Sequence, residues 1–286
     1  MTATHQVIVV FLVGGIVSGT KYLSALVRNN VRVTGVADGR PLVFAHGFGC
    51  SQEAWRLVAP AFEADHRVIR FDLVGSGGSD PSAYDARKYD SLDGYAADLV
   101  ELLCELDLHD VVFVGHSVSA MIGVIAAASA PERFGQLILV GPSPRYIDDV
   151  GYRGGFSQGD VDSLLDALDA NYLGWSAQTA PLIMGNPDRP ELGEGLTQSF
   201  CQLDPAVARQ FARVTFLSDS RDDLARVSVP TAVIQCREDM LAPAEVGEYV
   251  HRSIPGSTFA VIDATGHIPN LSSAPALIAE LRRQLR

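Results

Sequence analysis

The sequence predicts an α/β fold: a mostly parallel central sheet with helices on both faces, interrupted by an inserted helical segment. Three observations predict it. Short apolar, β-rich runs alternate with helical patterns through the first half of the 286-residue chain. The alternation breaks after Gly141 and Pro142, where helical patterns carrying scattered aromatic residues take over. It resumes near residue 231 and continues to the C-terminus. Strands joined through helices run parallel, and the helices cover both faces of the sheet.

The elements follow in order. Residues 31–36 read as a first strand and 41–45 as a second, running into His46-Gly47-Phe48-Gly49. Residues 51–62 have helical spacing, with Ser51 as N-cap and Trp55, Leu57, Val58 and Phe62 on the apolar side. A strand at 67–71 ends at Asp72, 92–108 is an amphipathic helix, and 111–115 is a buried strand. An Ala-rich helix at 117–130 stops at Pro131, and 136–140 is the next strand. From about 143 to 219 there is no convincing strand, only helical patterns at 159–172, 192–201 and 204–217. Tyr172, Trp175, Phe200, Phe211 and Phe216 are scattered through them. Strands at 231–236 and 258–263, with helices at 244–254 and 274–285, complete the core.

The chemistry is written most clearly at Gly115-His116-Ser117-Val118-Ser119. A buried strand, a sharp turn and a helix hold a serine on the turn. Such a turn strains the serine backbone and lifts its hydroxyl out of the sheet, and the helix N-terminus favours developing negative charge. Ser117 therefore reads as a nucleophile; the plainer alternative is a serine N-cap after a buried strand. The pattern for such an elbow is G-x-S-x-G, and Ser119 departs from it at a position that must be small.

A serine hydroxyl needs a base, and the base needs an orienting acid. In the order Ser, then Asp or Glu, then His, each on a loop after a strand, the sequence supplies Asp239 in 237–243 and His267 in 264–267. Glu238 is the rival to Asp239, and Asp263 a weaker one; the Asp-x-x-x-Pro spacing favours Asp239. His66, His109 and His251 are expected to face solvent. His116 is expected to point elsewhere on the elbow, and His46 to shape its loop. The oxyanion donors are expected to be the N–H groups of Val118 and Phe48. The glycine-rich stretch 72–80 resembles a dinucleotide loop only superficially, because Pro81 and 84–89 continue as loop instead of a long helix. A structural turn beside the active site is the expectation, with no cofactor and no metal.

Composition bounds the rest. The net charge of −12 without a Lys/Arg cluster argues against nucleic acid and anionic membrane surfaces. Cys50, Cys104, Cys201 and Cys236 form no metal-binding spacing and read as free thiols in a reducing, cytoplasmic setting. Cys104 and Cys236 sit in apolar runs and read as small core residues. The apolar run 7–17 is too short for a bilayer span, and no Lys or Arg precedes it. A signal segment and a misassigned start remain the alternatives for it.

Taken together, HGFGC (46–50), FDLVGSGGSD (71–80), YDSLDGYAADL (89–99), FVGHSVSAMIG (113–123), NYLGW (171–175) and LSDSRDDL (217–224) carry a family resemblance. From about Leu26 onward the chain resembles the α/β-hydrolases, and among them the small family of the bacterial sigma-B energy-stress regulator RsbQ. That family includes the plant strigolactone and karrikin receptors, whose branch carries the GHSVS form of the elbow. The resemblance implies a core over 26–142 and 220–286, with an N-terminal extension, 1–25, set apart. It implies a four-helix, V-shaped lid over 143–219. It also implies a Ser117–His267–Asp239 triad and a pocket lined by Phe48, Tyr172, Trp175, Phe200 and Phe216. The ligand it implies is a small hydrophobic ester or lactone, and a signalling protein is the partner it implies at the lid.

Overall fold

The computed structural model describes residues 23–285. The apolar run 7–17 lies outside them. The described chain opens with a short helix, α1 (Ala25–Arg28), capped by the Ser24 hydroxyl. Ala25 is already fully buried, and Arg28 reaches Asp98 at 3.0 Å.

A seven-stranded sheet follows, built from β1 (Arg32–Gly35), β2 (Arg40–Ala45), β3 (His66–Arg70), β4 (Val111–His116), β5 (Phe134–Val140), β6 (Thr231–Glu238) and β7 (Thr258–Thr265). Its order is β1-β3-β2-β4-β5-β6-β7. Only β1 runs antiparallel to its neighbour; the other pairings are parallel. Every residue of β4 is buried, because a central parallel strand is covered on both faces.

Two helical layers supply that cover. On one face α2 (Leu92–Glu105) and α3 (Val118–Ser129) pack their apolar stripes against Phe113, Leu137 and Val233. On the other, Trp55, Phe62 and the C-terminal helix meet Phe44, Val114 and Ile234. Between β5 and β6 the chain leaves the sheet for four helices: α4 (Gln158–Ala170), α5 (Tyr172–Met184), α6 (Pro190–Cys201) and α7 (Pro205–Phe216). Their apolar faces form a separate cluster around Leu168, Trp175, Phe200 and Phe216. The short α8 (Arg221–Leu224), α9 (Ala244–Ser253), α10 (Pro269–Ser272) and α11 (Ala274–Gln284) complete the chain.

Several expectations need correction. Residues 51–62 form two separate 3₁₀ turns, Gln52–Trp55 and Ala59–Phe62. Pro60 has no N–H to continue a helical ladder, and it opens the second turn instead. Ser51 still caps its turn, but Leu57 is half exposed. The helix expected over 159–172 ends at Ala170, and Tyr172 opens a helix of its own. Asn171 divides them: it closes α4, and its side chain accepts from the Gly174 N–H to start α5. Cys104 is exposed on the outer face of α2 rather than in the core. His66 opens β3 half-buried, and His251 is half-buried against Phe259; of the three histidines expected in solvent, only His109 is exposed.

Candidate active site

The site lies at the C-terminal edge of the parallel strands, where this class of sheet presents its loops. Ser117 follows β4 with φ +57° and ψ −125°, a conformation disfavoured for any residue with a β-carbon. Holding it there costs on the order of 1–3 kcal/mol, which the surrounding packing must supply. The Ser117 N–H donates to Val140 at 2.9 Å, which fixes the turn to β5. Ser119, the departure from the elbow pattern, is fully buried, and its hydroxyl donates to the His46 carbonyl. The larger residue at this position therefore ties the first turn of α3 to the glycine-rich loop.

His267 comes from the loop after β7 and Asp239 from the loop after β6. Ser117 Oγ lies 2.7 Å from His267 Nε2, and His267 Nδ1 lies 2.8 Å from Asp239 Oδ2. The Asp239 side chain is fully buried, and its Oδ1 accepts from the N–H groups of Leu241 and Ala242 at 2.9 and 3.0 Å. Two backbone donors and an imidazole thus fix its orientation. The rivals lie elsewhere: Glu238 accepts from the Thr265 hydroxyl, and Asp263 pairs with Arg237 at the surface.

Phe48 follows β2, and Val118 is the first residue of α3. Among the described residues neither N–H finds a backbone partner. His46 is fully buried; it accepts from the Leu73 N–H at Nε2 and lies 2.9 Å from the Gly47 carbonyl at Nδ1. Those two contacts fix a neutral ring with the proton on Nδ1, and burial holds its pKa below the usual histidine value. Asp72 closes the neighbouring turn by accepting from Gln52, Asn30 and Gly78. The glycine-rich stretch is thus folded on itself by its own carboxylate.

A tight cavity reaches Ser117 and His267, walled by Phe48, Phe200, Phe216, Ile183, Leu241 and Ile268 together with Tyr146 and Thr215. It has about 20 Å³ of space, room for roughly one water-sized group. A bulkier ligand therefore requires the aromatic wall to shift. The Phe48 ring lies 5.6–6.3 Å from the rings of Trp175, Phe200, Phe211 and Phe216, which joins the core loop to the inserted helices. Tyr172 and Trp175, expected in the wall, stand behind it. Trp175 stacks on Phe200 at 5.5 Å, and the Tyr172 hydroxyl donates to the Phe200 carbonyl. Sequence reasoning passed over Tyr146, whose phenol burial pushes up to about 12. Its place shortly after β5 was the available signal. A larger groove, about 470 Å³, opens between α2, α3, α7 and α8 and shares no lining residue with the Ser117 cavity.

A family model described as "Alpha/beta hydrolase family" matches residues 42–281. The chain belongs to the α/β-hydrolase family. It is 42% identical over 258 residues to "Strigolactone esterase D14" of Arabidopsis thaliana, covering 90% of this chain and 96% of that protein. To "Karrikin insensitive 2 receptor CA" of Petunia hybrida it is 37% identical, covering 90% and 95%. Among solved structures, a hydrolase from Oleispira antarctica superposes with a TM-score of 0.88 at 40% identity, covering 91% and 95%. These relatives fall where the sequence resemblance pointed. Among the described residues, no helix of this α/β-hydrolase is long and apolar enough to cross a membrane.

Proposed function

We propose that this α/β-hydrolase is a serine esterase that cleaves an ester or lactone bond of a small hydrophobic molecule through an acyl-enzyme. The observation that carries the reading is the hydrogen-bonded row Ser117–His267–Asp239 at the floor of an apolar cavity. Asp239 accepts the Nδ1 proton of His267, which leaves the Nε2 lone pair facing the Ser117 hydroxyl. His267 takes the serine proton as Oγ attacks the carbonyl, then returns it to the leaving alcohol. Asp239 stabilises the imidazolium formed in between. The Phe48 and Val118 N–H groups receive the oxyanion, the second with the dipole of α3 behind it. Water repeats the sequence to release the acid. The inserted helices, residues 143–219, serve as the lid. Phe48, Phe200 and Phe216 hold the apolar part of the ligand, with Tyr172 and Trp175 supporting Phe200.

The names of the relatives support both catalysis and sensing. The similarity to "Karrikin insensitive 2 receptor CA" favours a second reading, in which hydrolysis is slow and the lid surface engages a signalling protein. Four free cysteines suit a cytoplasmic setting for either. A panel of p-nitrophenyl esters and enol-ether butenolides, followed by turnover and intact mass, separates the readings. Sustained turnover supports the esterase. One equivalent of product followed by a persistent adduct supports sensing. No cleavage and no adduct across the panel overturns both.

A further inference from the structure

His116 stands immediately before Ser117 at the end of β4 and is 1% exposed. It does not point away from the site. Its Nε2 lies 2.7 Å from the backbone carbonyl oxygen of His267. A carbonyl only accepts, so Nε2 carries the proton and donates. In the neutral ring Nδ1 is then a bare acceptor. Nδ1 is buried with no hydrogen-bond partner among the described residues, and it faces Gly47, where a β-carbon would come within 2.8 Å of it. A second proton at Nδ1 would be buried without an acceptor. The groups around the ring are His267, 5.1 Å away between ring centroids, with Asp239 and His46 beyond, and the edge of Trp55 at 6.5 Å. Burial and the neighbouring His267 push the pKa of His116 down to about 3, in keeping with a permanently neutral ring.

The His267 peptide is held from two sides. From the inserted helices, the Ile183 carbonyl accepts the His267 N–H at 2.9 Å, and Asn186 donates to the Thr265 carbonyl at 2.9 Å. From the core, His116 grips the carbonyl of the same residue. The two tethers differ in kind. Ile183 and Asn186 belong to the segment that must shift when a bulky ligand enters the tight cavity, whereas His116 rides on the central strand with Ser117.

We propose that His116 is a positioning residue: its Nε2–H holds the His267 peptide at a fixed distance from Ser117 while the inserted helices move. This rests on the reading of His267 as the base. His116 acts through His267 and takes no part in the proton transfer. Because His116 and Ser117 are consecutive, the nucleophile and the anchor of its base share one rigid strand end.

Two variants of the full chain test this. In His116→Gln an amide N–H can reach the same carbonyl; His116→Leu fills similar space with no donor. With p-nitrophenyl butyrate as substrate, His116→Leu lowers kcat by about 10- to 100-fold, the scale of an ångström-sized misplacement, while KM changes little. His116→Gln recovers most of the loss. In parallel, NMR of the parent protein with ring-¹⁵N-labelled histidine shows one neutral Nε2–H histidine that does not titrate between pH 5.5 and 8.5. That signal disappears in His116→Gln, which separates it from the buried Nδ1–H ring of His46. Equal losses in the Gln and Leu variants, no loss in Leu, a change confined to KM, or an Nδ1–H tautomer at His116 each overturn the proposal. If neither variant folds, the tautomer in the parent decides. Ser117→Ala is the control: turnover surviving there overturns the esterase reading itself, independently of His116.

Discussion

The backbone N–H of His267 donates to the carbonyl of Ile183 at 2.9 Å, tying the proposed base to the last turn of α5. The contact is possible because Gly266, one residue earlier, has φ +91° and passes so close to α5 that a β-carbon would lie 1.9 Å from the Met184 carbonyl. Gly266→Ala must therefore open this junction. The expected result is a loss of about 1–3 kcal/mol of stability from the backbone conformation alone, with the clash adding to it. kcat should fall more steeply than stability, since His267 moves with the loop. Thermal melts and kcat measured together check this, and an alanine variant with parental kcat contradicts it.

Ser117→Ala and His267→Ala are each expected to remove nearly all hydrolysis, and the double variant to be hardly worse than either. Residues acting on one proton transfer are grossly non-additive. Asp239→Asn should be severe as well, because an amide permits the wrong imidazole tautomer. Steady-state kinetics on one activated ester suffice. Multiplying losses in the double variant would separate the roles assigned here.

Acid should destabilise the fold before its carboxylates titrate. His116 is held down to about 3 and His46 is also lowered, both by burial, whereas unfolded histidines titrate near ~6.5. Below that value the unfolded chain takes up protons that the folded chain refuses. The stability from keeping these rings neutral is therefore complete above about pH 6.5 and falls away below it, for His116 as the pH drops toward 3. Urea unfolding between pH 7 and 5 should show this slope, with up to about 1.4 kcal/mol per pH unit for each histidine. His116→Gln should remove one histidine's share. An unchanged slope in that variant contradicts the neutral, buried ring.

The aromatic wall should discriminate by size. Phe216→Ala removes a ring that borders the cavity, and a large buried side chain contributes roughly 1.5–3 kcal/mol, so kcat/KM for a bulky apolar ester should fall by about ten- to a hundredfold. An acetate ester that does not reach the ring should lose much less. Trp175→Ala acts one layer back, through Phe48 and Phe200, and should spread its loss more evenly over both esters. Equal losses for both esters in Phe216→Ala would confine that ring to holding the inserted helices together.

What the sequence made legible were features with local signals. The strands are continuous apolar runs, and Gly115-His116-Ser117 marks a strand, turn and helix within a few residues. The loops after β6 and β7 bring Asp239 and His267 to the same sheet edge because parallel strands all end there. What stayed hidden depends on partners far along the chain. The role of His116 leaves no local mark, because its acceptor is 151 residues away. Helix α5 was hidden by Gly174 and Pro181, two poor helix residues, and by Asn171 serving as the end of one helix and the start of the next. The resemblance carried by NYLGW (171–175) implies Tyr172 and Trp175 in the cavity wall, and the motif brings them near it. Only the stacking on Phe200 shows them one layer behind.

The central claim is that Ser117 is the nucleophile, and covalent trapping tests it most directly. Cys50 follows the glycine-rich loop and packs in the apolar cluster under the inserted helices, but burial pushes its thiol up to about 12, so it holds little thiolate at neutral pH. Treatment with an alkyl phosphonate, followed by intact mass and peptide mapping, is predicted to give one adduct on the peptide containing Ser117. That adduct should vanish in Ser117→Ala and be slowed in His267→Ala. An adduct on Cys50, or no adduct from a protein that still turns over esters, would contradict the mechanism.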